Sequence, residues 1–137
     1  MFKIYIFNFP EKDYLQIAEQ LSNIGCCAYY ATEKSIREIT KSPSVIIANC
    51  DAVYRGSSMK EVIADLLKKP SPPIIVLISY YYNQCRENFS EYVYNRNVYF
   101  LRRPFLNEDF MVILKDLNFK PSSKEIIVNE LLKASDI

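Results

Sequence analysis

The sequence predicts an α/β domain built on a parallel sheet, and three observations carry that expectation. Short β-branched and aromatic runs at 4–7, 45–48, 74–78 and 98–101 read as buried strands. Segments of helical period lie between them, so strand and helix alternate along the chain. The connections are short, as right-handed crossovers in a doubly wound sheet require. At 137 residues, half of them hydrophobic, the chain is long enough for one domain with a substantial core.

The first strand spans 2–7. After Pro10 the period changes, and Tyr14, Ile17, Ala18, Leu21 and Ile24 fall on one helical face, with Gly25 as a C-terminal stop. Residues 26–31 form a less apolar strand, expected nearer a sheet edge. Thr32 caps a short helix to about Thr40, with Ile36 and Ile39 inward. Pro43 ends it before the central strand 45–48. Ser58 and Glu61 make a capping box for a helix whose stripe is Met59, Val62, Ile63, Leu66 and Leu67. Lys68 and Lys69 are expected to complement its dipole. Prolines 70, 72 and 73 break the chain before the clearest strand, 74–78. A weaker helix is expected around 85–94, then a fifth strand at 98–101. Asn107 is expected to cap a helix to about Leu117, with Phe110, Ile113 and Leu114 inward. Residues 120–123 read as a hinge, and Ser122 with Glu125 opens a tail helix. The expected division is therefore a domain over 1–119 and a hinge with helical tail over 120–137.

Composition narrows the chemistry. There is no histidine, which removes His-based acid–base catalysis and most zinc sites. The two glycines, Gly25 and Gly56, cannot build a Walker loop or a dinucleotide fingerprint. Seventeen basic residues balance sixteen acidic ones, so no general pull on nucleic acid or anionic membrane is expected. A local anion site from Arg102 and Arg103 with Lys3 or Lys120 is a minor alternative. No apolar run approaches the roughly 20 residues of a membrane span, and no secretory signal is read. Cys26, Cys27, Cys50 and Cys85 form no CxxC pair and are expected to be reduced, inert thiols in a cytoplasmic protein; a redox pair of Cys50 with Cys85 is the minor alternative.

Three segments resemble the receiver domain of bacterial two-component response regulators over about 2–118. P-S-V-I-I-A-N-C-D is similar to that family's third strand, which ends in the phosphoacceptor aspartate. P-I-I-V-L-I-S is similar to its fourth strand, which ends near a hydroxyl residue. F-L-R-R-P-F is similar to its fifth strand and the Lys-Pro-Phe turn after it. The resemblance implies a flavodoxin-like sheet of order 2-1-3-4-5, a cytoplasmic role in two-component or phosphorelay signalling, and action on a protein partner.

The family's working positions are altered here. Its acidic pair corresponds to Asn8 and Phe9, and its phosphoacceptor to Asn49. Its switch hydroxyl corresponds to Ile78, with Ser79 one position late. Its aromatic switch corresponds to Phe100, and its lysine and proline to Arg103 and Pro104. Mg²⁺ wants oxygen ligands, usually with carboxylates among them, and an amide is not a nucleophile toward phosphoryl donors. The expectation is a degenerate, non-enzymatic pseudo-receiver, phosphorylation-independent, with no metal or cofactor. The alternative is an active, Mg²⁺-dependent receiver phosphorylated on Asp51, with Glu11 and Asp13 as displaced acids. A flavodoxin-like enzyme or small-ligand binder is a third alternative. Tyr92, Tyr94 and Tyr99 suggest a partner or homodimer surface on the fourth helix, fifth strand and fifth helix, the face that the resembling family uses.

Overall fold

In a computed structural model, residues 3–39, 44–51 and 59–116 are described. They form one five-stranded parallel sheet of order β2-β1-β3-β4-β5. The strands are β1 (Lys3–Phe7), β2 (Ala28–Ala31), β3 (Ser44–Asn49), β4 (Ile74–Ser79) and β5 (Val98–Arg102). The helices are α1 (Glu11–Asn23), α2 (Glu33–Arg37), α3 (Met59–Leu67), α4 (Tyr82–Asn88) and α5 (Asn107–Asp116). The doubly wound class and the strand order are as expected. The hinge, the tail helix and Ser58 of the first capping box lie outside the described residues.

Side-chain alternation sorts each central strand into two core layers. Ile4, Ile6, Val45, Ile47, Val76 and Ile78 face Ile17 and Leu21 of α1 and Phe110 and Leu114 of α5. Phe7, Ile46, Ala48, Ile75 and Leu77 face Ile36 of α2, Val62, Ile63 and Leu66 of α3, and Cys85 of α4. β3 is buried at every position, which explains its unbroken apolar run. β2 lies at the sheet edge with Tyr29 and Tyr30 exposed, as its mixed composition suggests.

The helix ends repay attention. Gly25 has φ 82°, and its N–H reaches the Ser22 carbonyl while the Cys26 N–H reaches Leu21. That paired closure is a Schellman motif, and glycine takes the left-handed angle without a Cβ penalty. Thr32 caps α2 by accepting from the Ser35 N–H at 3.1 Å, and Ser35 Oγ accepts from the Thr32 N–H at 2.8 Å. Two expected caps differ. Asn107 is the first residue of α5, where the Asp109 carboxylate accepts from the Leu106 N–H at 2.9 Å. Lys69 lies past the end of α3, and its ammonium donates to the Arg37 and Ile39 carbonyls at 2.7 and 2.6 Å. It therefore satisfies the C-terminal end of α2 instead of its own helix. The expected helix over 85–94 starts earlier and breaks at Phe89, with a 3₁₀ turn over Ser90–Tyr92.

Candidate functional site

The parallel strands deliver their carboxyl ends to one edge of the sheet, where sites form in open α/β folds. Asn8 and Phe9 follow β1, Asn49 closes β3, Ser79 closes β4, and Arg103 follows β5. Register fixes their spacing: Phe7 pairs with Ala48, Asn49 with Ile78, and Ser79 with Arg102. The Arg103 N–H extends this by donating to the Ser79 carbonyl at 2.7 Å.

Asn8 has φ 70°, a left-handed angle that asparagine tolerates better than most residues. This turn reverses the chain after β1 and sends Phe9 into the α1/α5 core layer, where it is 2% exposed. The Asn8 amide nitrogen donates to the Asn49 carbonyl at 3.2 Å. Asn49, 4% exposed, accepts from the Asp51 N–H at 2.9 Å through its side-chain oxygen. That is an Asx turn, which bends the chain as it leaves the strand.

Arg103 is 7% exposed, yet the carboxylate paired with it, Asp13 of α1, sits at 3.7 Å. Two π faces also meet its charge. The guanidinium carbon lies 5.4 Å from the Phe9 ring centroid and 4.4 Å from that of Tyr80. A planar guanidinium stacks on rings in a way that a lysine ammonium does not, and a desolvated contact of this kind is worth about 2 kcal/mol. Phe9 and Arg103 therefore fit one another: the ring offers its negative face to the guanidinium. Pro104 follows across a cis peptide bond, and Phe105 enters the core beside Phe110.

Asp51 is half-buried and fully engaged. One carboxylate oxygen accepts from the Ser79 hydroxyl and the other from the Tyr80 N–H at 3.0 Å. Ser79 Oγ in turn accepts from the Tyr81 N–H at 2.8 Å, which fixes the entry to α4. Ser79, not the fully buried Ile78, thus supplies the hydroxyl at this edge. As a metal site the edge is poor. Asp13 is paired with Arg103 and Asp51 with β4, and among the described residues no three Cys, Asp or Glu side chains cluster. These residues do not fit a Mg²⁺ ion, which needs several convergent oxygens.

Phe100 packs in the α2/α3/α4 layer with Arg86 5.8 Å above its ring. The same Arg86 and Arg102 lie 5.8 and 5.1 Å from the Tyr82 ring. The tyrosines expected to share one surface are divided. Tyr92 packs against the α2/α3/α4 layer and Tyr99 against the α1/α5 layer, on the two sides of the edge strand β5. Tyr94 is 96% exposed. Burial raises the Tyr92 phenol, with a smaller push from Glu91. Tyr99 is pushed up to about 12, first by burial and then by its 2.6 Å hydrogen bond to Asp116.

Tyr80 was not among the expected site residues, and the cysteine pair was only the minor alternative. Tyr80 is the second ring around Arg103; the excess of tyrosine after the fourth strand was its signal. Cys50 and Cys85 are joined in a disulfide with Cα atoms 6.2 Å apart, which corrects the expectation of inert thiols at those positions. Cys26 and Cys27 take no part in a disulfide, and one is buried and the other exposed.

No protein-family model matches the chain, and no curated protein sequence is significantly similar to it. Among solved structures it is similar to the anti-anti-sigma factor PhyR from Bartonella quintana, with a TM-score of 0.55 at 14% identity. The match covers 98% of this chain and 51% of that one, so the chain spans about half the length of its structural neighbour. Among the described residues no helix is long and apolar enough to cross a membrane. At this identity the likeness shows the fold, and the fold is receiver-like.

Proposed function

We propose that this chain is a pseudo-receiver: a non-enzymatic, bacterial signalling domain that works in the cytoplasm through a protein partner without aspartyl phosphorylation. The observation that carries the reading is Arg103, held between Phe9 and Tyr80 where the resembling family keeps carboxylates, a metal ion and a lysine. Asn49 in the acceptor position is spent on an Asx turn. The solved neighbour is titled an anti-anti-sigma factor, a role exercised on another protein, and this supports a partner-directed role here. The α4–β5 side, with Tyr82, Arg86 and Arg102 around one ring, is the surface best suited to that partner.

The rival reading makes Asp51 a phosphoacceptor, favoured by its place beside the Ser79 hydroxyl. Incubation with Mg²⁺ and acetyl phosphate followed by intact-mass measurement separates the two. The expected result is an unmodified mass. A phosphate adduct that disappears in Asp51→Asn overturns the pseudo-receiver reading.

A further inference from the structure

We propose that Cys50 and Cys85 are a reversible thiol–disulfide site whose co-reactant is a small disulfide or dithiol, and that its oxidation state decides how firmly α4 is held on the sheet. The residues come from separate elements. Cys50 follows β3 directly, and Cys85 lies in the middle of α4, 35 positions later. Their Cα separation of 6.2 Å is within the range a disulfide spans without backbone movement.

Apart from the disulfide, α4 is held chiefly at its ends, by the Tyr81 N–H on Ser79 and by the buried C-cap Phe89. The helix has seven residues, too few for stability of its own. Its N-cap, Tyr81, makes no side-chain capping bond. Of its seven residues Cys85 alone is buried, at 3% exposure. The one side chain that α4 commits to the core is therefore the one bonded to Cys50. On the other side, the Cys50 N–H donates to the Ile78 carbonyl, and the next residue, Asp51, holds Ser79 and Tyr80. The disulfide ties a well-anchored strand end to the middle of a short helix, and that helix carries the half-buried Tyr82 and the exposed Arg86.

The chemistry balances by thiol–disulfide exchange. Cys50 is half-buried and Cys85 buried, so the Cys50 thiolate is the group that meets an external reagent. It attacks one sulfur of oxidised glutathione, releasing one glutathione thiol and leaving a mixed disulfide on Cys50. The Cys85 thiolate then attacks the Cys50 sulfur, forms the Cys50–Cys85 bond and releases the second glutathione. Two protein thiols give up two electrons and two protons, and one external disulfide becomes two thiols. A dithiol reverses the sequence.

The proposal rests on the pseudo-receiver reading only for what α4 presents to a partner, since the cysteine chemistry does not involve phosphate at Asp51. A phosphate adduct with acetyl phosphate would remove that reading and leave the cysteine result standing. The test uses the whole chain, treated with oxidised glutathione or with dithiothreitol, then denatured, alkylated with N-ethylmaleimide and weighed. Two adducts are expected after oxidation, on Cys26 and Cys27, and four after reduction. Amide exchange over Tyr82–Asn88, measured on the same two samples in the native state, is expected to be about tenfold faster or more in the reduced protein. Cys50→Ser and Cys85→Ala are each expected to exchange at the reduced rate under both treatments. The wild-type comparison stands without them if either variant fails to fold. Four adducts after oxidation, two after reduction, or equal exchange in the two wild-type samples overturns the proposal.

Discussion

Arg103, Phe9 and Tyr80 bring a cation and two rings together at the strand ends, and each residue alone would be a poor choice. A buried arginine with one ion pair at 3.7 Å is under-compensated, and a phenylalanine directly after a strand end is wasted unless it packs. Together they satisfy one another. Arg103→Lys, although it restores the residue of the resembling family, is expected to destabilise the fold by about 1–2 kcal/mol in urea denaturation, because the ammonium loses the two stacked faces. Unchanged stability would count against the stack. Phe9→Ala is expected to cost about 3–5 kcal/mol, since it leaves a cavity as well as an uncovered guanidinium.

Tyr99 gives a second measurement at the level of one group. Its phenol is pushed up to about 12, so the folded chain favours the neutral form more than the unfolded chain does. The associated stability is fully present below the ordinary tyrosine pKa near ~10 and is lost as pH rises toward the folded value. Ultraviolet titration of Tyr99→Phe against the parent is expected to remove the latest-titrating tyrosine. Asp116→Asn is expected to lower that titration, and no change would mean that burial alone sets it.

Among the elements, legibility followed how much each one owes to its own sequence. β3 and β4 were readable because burial on both faces demands continuous apolar runs. α1 was readable because its stop is a local glycine motif. The short elements were harder to read. α2 depends on Lys69, which lies beyond the end of α3 and satisfies the α2 carbonyls across space. No local pattern announces that. α4 starts earlier than its composition suggests because its anchor is a cysteine bonded to the end of β3, not an apolar stripe. Thr32→Ala is expected to lower stability by about 1 kcal/mol by removing the α2 cap, as read from thermal denaturation. A change no larger than that of a surface control would mean that Lys69 and the core hold α2 unaided.

For the whole molecule, the doubly wound class followed from alternation and chirality, while the strand order followed from the resemblance to receiver domains. The content of the site was only half legible. Asn8, Phe9 and Asn49 could be matched to the acidic positions of the resembling family, but the contacts around them could not be read. They depend on Tyr80 folding back over Arg103 and on Asp13 reaching it from α1, between residues far apart in sequence. The placement of the tyrosines was hidden for a related reason. Tyr92 and Tyr99 are close in sequence, but the strand's alternation sends Tyr99 to the sheet face opposite the one Tyr92 covers.

On the pseudo-receiver reading proposed above, a guanidinium and two rings stand at the strand ends where the resembling family holds a metal ion. Thermal denaturation across a Mg²⁺ series, with ionic strength held constant, tests it most directly. A folded state that binds the ion must gain stability as the ion is added. The expected result is a melting temperature independent of Mg²⁺ concentration; a saturable rise that is abolished by Asp51→Asn would contradict it.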